Sequence, residues 1–108
     1  MKIREIVRAI NNLELGATAI YGYSDTKDSG IYVTNTLTKE TSKHSTGERI
    51  QILICIKNVE KGYLECRDMA EKIRARLEEL NCYNITESYI GEYNNKHSYS
   101  INLSVGGI

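Results

Sequence analysis

The chain has 108 residues, with 14 basic and 14 acidic side chains, so its formal net charge is zero. That length suits a single domain, 1–108, and leaves no room for two ordinary ones. The charge balance argues against a nucleic-acid binder working through phosphate contacts, and no apolar run approaches the roughly eighteen residues of a membrane helix, so neither specific nucleic acid nor membrane is expected as a partner.

Residues 2–13 predict a helix. Ile3, Ile6, Val7, Ile10 and Leu13 recur at three and four and form one apolar stripe, with Lys2, Arg4, Glu5, Arg8 and Asn12 on the other side. Charges spread through the segment are not those expected of a signal peptide. Gly16 is a stop signal. Residues 17–23 and 30–37 read as two strands, and the Ser, Asp and Gly of SDTKDSG between them suggest a hairpin.

The stretch TKETSKHSTG, 38–47, contains no apolar residue and is expected as an exposed loop or arm. It is long for a hairpin connection, and loops of that length in compact domains often carry function. GERIQILICIKN, 47–58, follows. Ile50, Ile52, Ile54 and Ile56 occupy every second position, with Leu53 and Cys55 between them. The isoleucines face the helices; the Leu53 and Cys55 side needs a second cover, either a curl of the sheet or another subunit.

A second helix is predicted at about 63–81, with Cys66, Met69, Ala70, Ile73, Leu77 and Leu80 as its apolar stripe. Arg67–Glu71, Asp68–Lys72 and Arg74–Glu78 mark its wet face, and Asn81 its end. YNITESYI, 83–90, reads as a strand and GEYNNK, 91–96, as a turn. HSYSINLSV, 97–105, alternates: Tyr99, Ile101, Leu103 and Val105 on one face, and Ser98, Ser100, Asn102 and Ser104 on a wet one. The order α-β-β-β-α-β-β specifies an α+β fold, a mostly antiparallel sheet of about five strands with two helices packed on one face.

Catalytic and metal-ligating patterns are not found. Cys55, Cys66 and Cys82 form no C-x-x-C pair and read as reduced, packed thiols. His44 in the polar loop and His97 at the last strand have no local nucleophile or carboxylate and read as solvated. Glu87 and Glu92 read as solvated turn residues, and Gly106-Gly107 as a tail. No cofactor is expected. The aromatic content is entirely tyrosine, 8 residues without Phe or Trp, which suits half-buried faces and interfaces. Lys39, Lys43, His44 and Arg49 make 38–49 mildly basic, offset by Glu40 and Glu48. With Leu53 and Cys55 they are the candidate interface residues, for a loop and strand face that order against a neighbouring subunit.

The strand Gln51-Ile52-Leu53-Ile54, the helix from Cys66 through Leu77 and the closing YSINLSV resemble, in that order, the small minor capsid or tail terminator proteins of tailed bacteriophages. The resemblance spans most of the chain and rests on packing motifs. It implies a non-enzymatic virion component, made in the bacterial host cytoplasm from a phage or prophage gene. Such proteins form a ring, typically a hexamer, that caps the tail tube. The implied partners are therefore copies of itself, the tail tube protein and the head–tail connector proteins. A small monomeric α+β binding or regulatory module is the alternative reading, and it calls for a concave pocket with convergent polar groups.

Overall fold

The computed structural model describes residues 3–22, 29–36, 48–57, 62–93 and 96–105. Its elements are α1 (Ile3–Asn12), β1 (Ala19–Tyr21), β2 (Gly30–Thr36), β3 (Glu48–Lys57), α2 (Gly62–Glu79), β4 (Tyr83–Tyr93) and β5 (Lys96–Val105). The strands make one five-stranded sheet in the order β1-β2-β3-β5-β4. The fold is α+β and the sheet mostly antiparallel, as the sequence predicts. The loop at 38–47 lies outside the described residues.

Periodicity explains the core. Ile6 and Ile10 of α1 and Cys66, Ala70, Ile73 and Leu77 of α2 are buried against Ile31 and Val33, Ile50, Ile52, Ile54 and Ile56, and Ile101, Leu103 and Val105. These strand residues are alternate positions of β2, β3 and β5, so both helices cover the same face of the sheet. Met69 and Leu80 pack at the margin of this cluster.

The helix ends follow local chemistry. In α2, Asn81 takes a left-handed conformation (φ 63°), and the Cys82 N–H donates back to the Leu77 carbonyl at 3.1 Å. That six-to-one bond is a Schellman cap, and the side chains it brings together, Leu77 and Cys82, are both buried. On the wet side Arg67–Glu71 (3.7 Å) and Arg74–Glu78 (3.3 Å) form as expected, whereas Asp68 and Lys72 line a surface depression instead.

Three expectations are corrected. First, β1 and β2 are not a hairpin: they pair in parallel, Ala19 with Ile31 through Tyr21 with Val33. Asn11 ties β1 to α1: its carboxamide accepts from the Ala19 N–H (2.8 Å) and donates to the Ala19 carbonyl (3.0 Å). Towards β2, the Thr18 carbonyl accepts from the Ile31 N–H (3.1 Å) and the Gly22 N–H donates to the Val33 carbonyl (2.9 Å), flanking the ladder at its two ends. At three residues, roughly 10 Å, β1 is short.

Second, β4 runs on to Tyr93 through the expected turn, pairing Gly91 with Ser98, Glu92 with His97 and Tyr93 with Lys96. Two register shifts, between Tyr83 and Thr86 and between Tyr89 and Gly91, place extra residues in β4. Asn84 (φ 53°) and Gly91 (φ 131°) supply the left-handed backbone those bulges use. Third, the hydroxyl face of β5 is only partly wet. Ser100 and Ser104 are buried, and Ser100 Oγ accepts from Asn102 Nδ2 (3.0 Å) and Gln51 Nε2 (3.5 Å).

Candidate functional site

The face of the sheet away from the helices is built in cross-strand rows. One row is Ile20, Tyr32, Leu53, Ser100 and Ser88; the next is Gly30, Cys55, Ser98 and Gly91. The second row is a trough of small side chains. Tyr32 leans over it: a Cβ on Gly30 would stand 2.8 Å from Tyr32 Oη and 2.9 Å from Cζ. Only glycine admits the ring there. Tyr32 is itself buried, 4% exposed.

That arrangement locates the sequence-derived interface residues. Cys55 is buried, 6% exposed within the single chain, with its Sγ 3.9 Å from Ser98 Oγ. Leu53 is half-buried between Tyr32 and Ser100. Arg49 is exposed, opposite Ser104. Lys39, Lys43 and His44 lie outside the described residues. The expectation that the Leu53 and Cys55 side needs a second cover, a curl of the sheet or another subunit, is therefore corrected for Cys55: it is buried within the single chain.

The exposed apolar surface is elsewhere, at the two ends of the strand order. At the β1 end, Ile20 (39%) and Tyr21 (61%) are exposed. At the β4 end, Tyr89 (41%) and Ile90 (59%) are exposed beside Tyr63 (40%) and Leu64 (52%) from the first turn of α2. Tyr63 and Tyr89 tie these elements together edge to face, with centroids 4.9 Å apart. Tyr89 Oη lies 2.8 Å from His97 Nδ1. The pair is a diagonal one, because Tyr89 sits opposite Tyr99, two positions from His97. His97 is therefore half-buried in an aromatic cluster and not the solvated side chain its sequence context suggests.

Glu87 also departs from expectation. It is a strand residue on the helix face of β4, and its Oε2 accepts from Arg74 Nη1 at 2.7 Å. Its Oε1 is buried without a partner among the described residues. The cysteines sit apart chemically. Cys66 Sγ points from α2 into the core and donates toward the His97 carbonyl (3.4 Å), while Cys55 lies on the other side of β3. Burial pushes the Cys66 thiol up to about 11 and raises those of Cys55 and Cys82, which disfavours the reactive thiolate at all three. Among the described residues no group of three or more His, Cys, Asp or Glu side chains could hold a metal ion. No described helix is long and apolar enough to cross a membrane.

The described residues also form a depression of about 350 Å³. Leu15, Ile56 and Met69 line it together with Glu65, Asp68 and Lys72. Compared with known proteins, the chain matches no family model and none of the curated sequences.

Proposed function

We propose that this chain is a non-enzymatic structural protein of a tailed bacteriophage or prophage. In this reading it is a tail terminator or minor capsid protein. Copies form a ring, a hexamer by the resemblance, that caps the tail tube and joins it to the head connector. Assembly takes place in the cytoplasm of the bacterial host. The observation that supports the reading is the placement of exposed apolar side chains at both ends of one sheet, Ile20 and Tyr21 at one and Tyr89 and Ile90 at the other. A ring joined head to tail needs two different surfaces on each copy, whereas a two-fold dimer needs one. Purified chain mixed with tail tubes tests the function. Electron micrographs should show a ring at one end of each tube and no further growth on addition of tube subunits. Bare ends and continued growth would contradict it.

The alternative, a monomeric binding module, is favoured by one feature, the depression between Leu15, Ile56 and Met69. It predicts that a fragment screen by NMR moves Ile56 and Met69 methyl signals in a chain that stays monomeric. A screen that leaves both signals in place contradicts it.

A further inference from the structure

We infer that the depression beside the first half of α2 binds a small zwitterion of dipeptide size, with its apolar body on Leu15, Ile56 and Met69, its ammonium on Glu65 and Asp68 and its carboxylate on Lys72. The inference goes beyond the ring reading and does not depend on it. It shares with the alternative reading only the depression as a binding site, and adds the class of ligand.

The charges of α2 divide into two groups. Arg67–Glu71, Arg74–Glu78 and Arg76–Glu79 are ion pairs, and Arg74 also reaches Glu87. The charged residues of α2 left over are Glu65, Asp68 and Lys72, which form no ion pair among the described residues. These same residues line the depression. Asp68 and Lys72 stand at i and i+4, the spacing at which pairs form elsewhere on the helix, yet they stay apart. With Glu65 and Met69 they make one helical stripe, at i, i+3, i+4 and i+7. A ligand with one positive and one negative end would complete all three charges at once.

The floor is apolar and continuous with the core. Ile56 is buried, and Leu15 and Met69 are half-buried against the core cluster. Size and spacing select the ligand. A volume of about 350 Å³ lies at the small end of the range for ligand pockets, roughly 300–1,000 Å³, which admits a small molecule and not a folded partner. At about 1.5 Å of rise per residue, Lys72 stands about 6 Å along the helix from Asp68 and about 10 Å from Glu65. A free α-amino acid carries both charges on one carbon, too close together to span that stripe. Two extended residues reach about 7 Å, so a dipeptide with apolar side chains matches. The order of charges then fixes its direction, ammonium toward the acids and carboxylate toward Lys72.

Leucyl-leucine is the probe, with its N-acetyl and C-terminal amide forms each removing one charge. In a titration followed by NMR, leucyl-leucine is expected to move the Ile56 and Met69 methyl signals. Each capped form is expected to bind roughly three- to fivefold more weakly, the worth of one exposed ion pair. Lys72→Met should erase the preference over the amide form and leave that over the acetyl form; Glu65→Gln together with Asp68→Asn should do the reverse. All three side chains are exposed, so the backbone spectra of these variants should otherwise match the parent chain. Equal affinity for all three probes overturns the inference and leaves an apolar crevice. So does a titration in which neither methyl moves, or a preference over the amide form that survives Lys72→Met. If leucyl-leucine binds as expected to a chain that is an oligomer, the monomeric module falls and the site stands. If other fragments move both signals and leucyl-leucine does not, the zwitterion falls and the module stands.

Discussion

Gly30 is the residue on which closure of the open sheet face depends. No turn or positive φ is involved; the constraint is the Tyr32 ring lying where its Cβ would be. Gly30→Ala is therefore expected to cost about 1–3 kcal/mol, the usual range for overpacking, and to swing Tyr32 off the trough. Two measurements check it: urea denaturation for the loss, and the rate of thiol labelling at Cys55, which should rise. A second prediction concerns Cys66. Its thiol value is raised by burial from the ordinary 9.0 to about 11, so the unfolded chain gives up its proton first as pH increases. Stability from this group is complete below pH 9 and is lost as pH climbs toward 11. Cys55 and Cys82 act in the same direction. Equilibrium unfolding across that window should show a decline, shallower in Cys66→Ala. None of this was readable from residue types: Cys55 on an alternating strand looks like uncovered surface, and only the register sets it opposite Gly30, over which the Tyr32 ring lies.

Elements with a clean period were the readable part of the fold. The stripes of α1 and α2, the isoleucines of β3 and the alternation of β5 each specify which side is buried, and the buried residues are those sides. What periodicity does not carry is strand direction, and β1 shows it. It runs parallel to β2 and is anchored by a side-chain-to-backbone clamp from Asn11 across eight positions of sequence. Asn11→Ala is expected to release Ala19, costing about 1–2 kcal/mol for the lost bonds. Hydrogen exchange at the Ala19 amide should accelerate while the β3–β5 amides stay protected; unchanged exchange at Ala19 would contradict the clamp. The bulges of β4 were hidden for a related reason. Gly91 read as a turn residue and Asn84 as an ordinary strand position, and in the structure both serve as left-handed positions at bulges inside a strand. Glu87 was misread with them, since its place beneath Arg74 follows from register and not from composition.

The surfaces available for assembly combine both lessons. The sequence pointed to Leu53 and Cys55 as apolar area left over after the helices are placed. The structure puts it on Ile20, Tyr21, Leu64, Tyr89 and Ile90, at opposite ends of the sheet. Tyrosine is why the site was hard to see. Tyr32 is buried, Tyr21, Tyr83 and Tyr89 are exposed, and nothing in the neighbouring residues separates the first from the others. Sheet order does separate them, because β1 and β4 are the strands with one neighbour. The proposed ring then makes a demand on stoichiometry that a sticky edge alone would not. Sedimentation velocity of the parent chain over a wide concentration range reads it most directly. The account predicts one discrete closed oligomer whose size does not grow with concentration; a monomer throughout, or a ladder that lengthens without limit, would contradict it.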